Sequence, residues 1–150
     1  MLSACTAQAP PHAPVTALPV ADLVTIDGRD ASLQSAVGGS VAVVDLWATW
    51  CAACQRERPK LERLYGAFAA RGLRVVGVNV GEEPSVVVAY LAENHVPYPN
   101  YLDPAFHLAD ALGERRVPAV LVIDRGGRIV HRSGSLDRET LESVEALLPP

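Results

Sequence analysis

Asp45-Leu46-Trp47-Ala48-Thr49-Trp50-Cys51-Ala52-Ala53-Cys54 is the stretch on which the reading of this chain turns. The largely apolar run that leads into it, Val41 to Leu46, predicts a buried strand. Two tryptophans and a threonine form the turn. Two cysteines then stand three residues apart at the opening of a segment with helical spacing. Cysteines at i and i+3 in the first turn of a helix share one face, within bonding reach of each other. The helix N-terminus presents unpaired N–H groups and the positive end of the macrodipole. Both favour a thiolate, so Cys51 is the predicted reactive sulfur. A structural disulfide or half of a zinc site would use the same residue types. Zinc would need two more ligands at suitable spacing, and the sequence holds no second cysteine pair and no His-x3-His. Strand, turn, Cys-x-x-Cys and helix in this order are therefore read as a redox-active dithiol.

Composition bounds the rest. A chain of 150 residues suits one domain, and 49% hydrophobic with 20% charged residues describes a globular chain rather than a disordered one. The net charge of −4, without any basic block, argues against nucleic acid and against a polybasic membrane patch. No apolar run reaches the length of a membrane-spanning helix. His12, His95, His107 and His131 are scattered without metal-ligand spacing, so no metal site is expected. A monomer without a cofactor is the expectation.

One cysteine, Cys5, is left over after the pair. It ends Leu2-Ser3-Ala4-Cys5, a tetrapeptide that resembles the bacterial lipobox, where a signal peptidase cuts before the cysteine and a lipid is joined to its sulfur. A signal peptide needs a charged and an apolar region upstream. The expectation is a precursor with such regions ahead of Leu2, and a lipid on Cys5 that anchors the protein to a membrane. Pro10, Pro11, Pro14 and Pro19 in an Ala/Thr context then read as an extended tether. Residues 1–18 are assigned to this tether and residues 19–150 to the folded domain.

Within the domain, Ala21 to Ile26 predicts a strand, followed by Asp27-Gly28-Arg29-Asp30 as a hairpin turn. Ser32 to Val37 is short enough for a turn or one turn of helix. Ala52 to Arg71 predicts a helix with Leu61, Leu64, Tyr65 and Phe68 at spacings of three and four, kinked at Pro59 and ended by Gly72. A second buried strand follows from Leu73 to Val80. A helix runs from Pro84 to Asn94, with Glu82 and Glu83 near its positive end. Tyr101 to Asp103 predicts a short strand, and Pro104 to Leu112 a helix with Asp103 as its cap. Ala119–Asp124 and Ile129–Arg132 predict strands joined by Arg125-Gly126-Gly127-Arg128. Asp137 caps a last helix, Arg138 to Leu148. The class is α/β, a central mixed sheet flanked by helices.

From Ala21 onward the chain resembles the TlpA/ResA-type thioredoxin-like proteins. The resemblance rests on Leu46-Trp47-Ala48-Thr49-Trp50-Cys51-x-x-Cys54-x-x-Glu57-x-Pro59 and on Val117-Pro118. Val76-Gly77-Val78-Asn79-Val80, Leu102-Asp103-Pro104 and Ile123-Asp124-x-x-Gly127-x-Ile129 support it. It implies a thioredoxin fold with an N-terminal β-hairpin extension and a helix-strand-helix insert between Pro84 and Leu112. It also implies a membrane-attached thiol-disulfide oxidoreductase facing the periplasm or the outer cell surface. The dipeptide between the cysteines, Ala52-Ala53, departs from the proline that often precedes the second one. Members dedicated to cytochrome c maturation often carry an acid near the site, and Glu114 is the candidate here.

The same resemblance suggests roles. Cys51 is the nucleophile toward a disulfide-containing protein substrate, and Cys54, expected to be the more buried of the two, resolves the mixed disulfide. Asp45, costly inside an apolar strand unless paired or neutral, takes the proton-relay role; its plainer reading closes the strand against a cation or an N–H. Pro118 is expected to be a cis-proline facing the disulfide, with the Val117 backbone pairing to an extended substrate. Trp50 is read as an apolar rim for partners, Trp47 as core. Glu57 is read either as an influence on the thiols or as a solvated helix charge. The Ala-Ala dipeptide lacks the histidine of strong oxidants, which points to a reductant, and a reductant in an oxidising compartment needs a membrane electron donor. Two other functions use the same residues. A copper chaperone would bind Cu(I) through Cys51, Cys54 and a histidine. A peroxiredoxin-type peroxidase would need Pro-x3-Thr/Ser-x2-Cys, but Val44 and Ala48 occupy those places before Cys51.

Overall fold

The computed structural model describes residues 17–150. Cys5, His12 and most of the assigned tether lie outside the described residues. The chain forms β1 (Asp22–Thr25), β2 (Asp30–Ser32), α1 (Leu33–Val37), β3 (Ala42–Trp47), α2 (Ala52–Phe68), β4 (Arg74–Val80) and α3 (Pro84–Glu93). It continues through β5 (Asn100–Asp103), α4 (His107–Leu112), β6 (Ala119–Ile123), β7 (Ile129–Ser133) and α5 (Arg138–Leu147). The strands make one mixed sheet in the order β2-β1-β5-β4-β3-β6-β7. β3, β4 and β5 run parallel, and the pairs toward both edges are antiparallel.

Alternation along β3 divides the core. Ala42, Val44 and Leu46 pack with Leu33, Leu108 and Leu121 on one face. Val43 packs on the other with Leu61, Leu64, Val120 and Val144, beneath α2 and α5. Period-two alternation therefore sends the Asp45 side chain to the α2 face. Every residue of β3 is buried, as expected of a central strand covered on both sides.

Local signals account for most boundaries. Ser32 caps α1, accepting from Ser35 N–H at 3.1 Å, and Gly38 ends it at a left-handed φ of 56°. Asp137 caps α5, accepting from Thr140 N–H at 2.9 Å. α2 continues through Pro59, which has no N–H to offer the Gln55 carbonyl, and finishes in a 3-10 turn at Ala69–Arg71. Ala17 and Leu18, assigned to the tether, already pair with the β6–β7 turn: Leu18 N–H donates to Gly127 O at 2.9 Å.

α4 corrects the sequence-based boundary. It begins at His107 and not at Pro104, because Phe106 adopts a left-handed φ of 62°. Asp103 still serves the helix, but from a distance: its Oδ2 accepts from Ala109 N–H at 3.0 Å. The Phe106 ring also lies where a Gly81 side chain would be, 2.1 Å from an ideal Cβ there, and Gly81 itself has a φ of 74°. Glycine is the residue that tolerates both demands.

Candidate active site

Cys51 and Cys54 form a disulfide across the first turn of α2, with Cα atoms 5.2 Å apart. Cys51 is the N-cap residue, and its Sγ accepts from Cys54 N–H at 3.0 Å. One of the helix's otherwise unpaired N–H groups is thus aimed at the sulfur proposed as nucleophile. Each cysteine is 4% exposed, so Cys54 is not the more buried of the two. What separates them is direction. Cys54 lines a cavity of about 20 Å3 together with Asp45, Trp47, Arg58, Tyr90 and Tyr98. That is room for about one water molecule.

Asp45 is 4% exposed, and its Oδ1 has no hydrogen-bond partner among the described residues. Burial pushes its carboxyl well above the usual carboxylate range, and the nearby Glu57 charge adds to the effect. Among the described residues no cation or N–H closes the strand against it. Burial also pushes the Tyr98 hydroxyl up, and the Asp45 charge reinforces this. Asp45 and Cys54 thus share one cavity wall.

Glu57 is buried, not solvated. Its carboxylate accepts from Leu136 N–H and Lys60 Nζ, both at 2.8 Å, and so ties α2 to the loop before α5. Trp47 is buried, donates from Nε1 to Asn100 Oδ1 at 3.0 Å, and packs on Tyr90 with ring centres 5.5 Å apart. Trp50 is 72% exposed beside the disulfide. The Val117–Pro118 peptide bond is cis, and Val117 packs on the cluster that holds both cysteines. Glu114 pairs with Arg116 at 3.3 Å just ahead of it.

Sequence reasoning missed one organising residue. Glu82, read as a charge near the start of α3, accepts from Thr49 N–H at 2.8 Å, Thr49 Oγ1 at 2.6 Å and Asn79 Nδ2 at 2.6 Å. It fastens the turn that carries Trp50 and Cys51 to the end of β4. The available signal was its place just beyond β4, on the same sheet end as Thr49.

Among the described residues no cluster of His, Cys, Asp and Glu is arranged to hold a metal ion. His131 contacts Thr140 Oγ1 at 3.1 Å, within the β7–α5 corner.

A central mixed sheet that places a cysteine pair at the N-terminus of its principal helix, with the Val117 of a cis Val117–Pro118 bond packed on the same cluster, defines a thioredoxin-like dithiol–disulfide protein. The chain belongs to the AhpC/TSA family, whose family model matches residues 12–132. It is 29% identical over 129 residues to the thiol-disulfide oxidoreductase ResA of Halalkalibacterium halodurans, covering 85% of this chain and 73% of that one. It is 33% identical over 112 residues to the thiol:disulfide interchange protein DsbE of Pseudomonas fluorescens biotype C, covering 74% and 61%. Among solved structures, a thioredoxin-family thiol:disulfide interchange protein from Chlorobium tepidum TLS superposes with a TM-score of 0.70 at 26% identity, over 91% of this chain and 98% of that one. The thioredoxin domain of a thiol-disulfide oxidoreductase from Bacteroides vulgatus matches the fold with a TM-score of 0.78 at 21% identity, over 91% and 99%.

Proposed function

We propose that this protein is a thiol-disulfide oxidoreductase that reduces disulfides of extracytoplasmic partner proteins. The observation that carries the reading is the Cys51–Cys54 disulfide at the N-terminus of α2, with Cys54 and Asp45, whose buried Oδ1 has no partner among the described residues, on one cavity. In the reduced enzyme the Cys51 thiolate attacks one sulfur of the partner's disulfide, and the other sulfur leaves as a thiolate. Cys54 then gives its proton to Asp45 and attacks Cys51 Sγ. The Cys51–Cys54 disulfide forms, the partner's second thiolate is released, and two electrons have passed to the partner. Trp50 offers an apolar rim and the Val117 backbone a place for an extended segment, beside Pro118.

Return to the dithiol needs an electron donor, and one in the membrane suits an oxidising compartment. A lipid on Cys5, followed by the tether, would hold the domain at a membrane surface. Among the described residues no helix is long and apolar enough to cross a membrane. Cytochrome c maturation, with a Cys-x-x-Cys-His disulfide as substrate, is the service that the family resemblance suggests. The protein is expected to act as a monomer.

Trapping tests the reading. The Cys54→Ser variant lacks the resolving sulfur and should accumulate as mixed disulfides through Cys51 when expressed in an extracytoplasmic compartment. The Cys51→Ser variant should trap far less. Equal trapping by both variants, or by neither, would remove the proposed division of labour.

A further inference from the structure

Beside Pro118 a trough opens on the face of the sheet opposite α2. Its volume is about 430 Å3, within the range of roughly 300–1,000 Å3 typical of clefts that hold small ligands. Pro118, Ala119 and Leu121 supply its apolar part, and Glu114, Arg116 and Arg132 its charged part. Arg116 and Arg132 are exposed, whereas Ala119 and Leu121 are buried.

The charges in the trough do not balance. Glu114 Oε1 accepts from the Arg116 backbone N–H at 2.8 Å and faces the Arg116 guanidinium at 3.3 Å. Arg132 uses one N–H group on the Leu112 carbonyl, at 3.0 Å, and its other donors have no hydrogen-bond partner among the described residues. Burial pushes the Glu114 carboxyl up, but hydrogen bonds from Arg116 and the charges of Arg116 and Arg132 hold it below its usual range. Two guanidinium groups thus line the trough with a single carboxylate, and only Arg116 is paired to it. This corner is positive on a chain whose net charge is −4.

Its position gives the charge a use. Val117 packs on the cluster that contains Cys51 and Cys54, and Pro118 is both the next residue and part of the trough. A partner joined to Cys51 and extended along Val117 would pass Pro118 and enter the trough. An extended chain rises about 3.3 Å per residue and sends alternate side chains to one face. A carboxylate a few residues from the partner's cysteine would then meet the arginines, where guanidinium groups bind carboxylates in a planar fork.

We propose that this trough is the docking groove for an acidic, extended segment of the disulfide partner, with one of its carboxylates seated on Arg132 and Arg116. The inference rests on the thiol-disulfide reading and adds the partner's charge to it. A basic segment would meet like charge and be disfavoured.

The test uses the reduced full chain and three disulfide peptides that differ only in carrying Asp, Asn or Lys three residues from the attacked cysteine. Single-turnover rate constants at low salt should fall in the order Asp, Asn, Lys. The span should be about tenfold and should shrink at about 0.5 M salt. In the Arg116→Gln/Arg132→Gln double variant the span should collapse to about twofold or less, and Arg132→Glu should reverse the order. Correct folding of each variant is checked by its unfolding midpoint and by its rate with the Asn peptide, so a misfolded variant is recognised as such. Equal rates for the three peptides with the wild-type protein would overturn the docking proposal and leave the redox reading standing. A preference for Asp that persists in the double variant would overturn it too. Failure of the wild-type protein to reduce any of the peptides would overturn the redox reading, and the docking proposal with it.

Discussion

At the scale of single residues, the chemistry rests on where two sulfurs and one carboxyl stand. Cys51 caps α2 and accepts the Cys54 N–H, while Cys54 faces the cavity shared with Asp45. Equal burial of the two cysteines makes the helix terminus, not exposure, the source of any difference in reactivity. In the reduced protein Cys51 should therefore be alkylated by iodoacetamide at neutral pH at least about tenfold faster than Cys54. Peptide mapping of the labelled protein reads the ratio, and a ratio near one would remove Cys51 as nucleophile. Asp45 carries a second prediction. Its folded pKa lies well above the unfolded value of about 3.9, because burial disfavours the charge. The stability it contributes is fully present below the unfolded pKa and is lost as the pH rises through the folded one. Asparagine has a similar shape and no charge to bury, so Asp45→Asn should be more stable than wild type at alkaline pH, and this advantage should fade toward pH 4. It cannot take the Cys54 proton, so resolution of a mixed disulfide should slow by about 10²-fold. Urea unfolding and stopped-flow reduction across pH measure both effects. An unchanged rate together with unchanged alkaline stability would leave Asp45 as strand filling.

At the scale of elements, α2 is oriented by contacts that no local pattern announces. Glu57, one turn beyond Cys54, accepts from Leu136 N–H in the loop before α5. Glu82 holds the turn before α2 through the N–H and the hydroxyl of Thr49. Beneath it, Gly81 and the left-handed Phe106 interlock, and the Arg115 guanidinium lies 4.2 Å from the centre of the Phe106 ring. Phe106 thus joins the segment leading to Pro118 to the end of β4, beside the Glu82 that holds the Thr49 turn. Hydrogen bonds to a charged group are worth about 1.5–3 kcal/mol each. Glu82→Gln keeps the shape but weakens two or more of them, so it should cost about 1–2 kcal/mol of stability and slow disulfide exchange severalfold. A double-mutant cycle with Thr49→Val isolates the link, with a coupling of about 0.5–3 kcal/mol expected. Additive effects on both stability and rate would show that Glu82 does not act through Thr49.

At the scale of the whole molecule, a reducing role makes a quantitative demand on the Cys51–Cys54 couple. The dipeptide between the cysteines, Ala52-Ala53, offers no cation to stabilise the thiolate of the reduced form. The potential should therefore lie near that of ordinary thioredoxin, roughly −270 mV, and equilibration with glutathione buffers would measure it. A value near about −120 mV would make the protein an oxidant. The sequence by itself determined the α/β class, the hairpin at Asp27-Gly28, the strand–turn–helix around Cys51 and the cap at Asp137. Each of these is written in residues a few positions apart: apolar periodicity, a turn dipeptide, a capping side chain. Only the tertiary structure decided that Glu57 is buried, that Asp45 Oδ1 is buried with no partner among the described residues, that Asp103 reaches Ala109 past a left-handed Phe106, and that Glu82 anchors Thr49. The Glu57–Leu136 and Thr49–Glu82 contacts join residues 79 and 33 positions apart. A carboxylate's charge, cost and role depend on what surrounds it, and its surroundings exist only once distant elements have packed together.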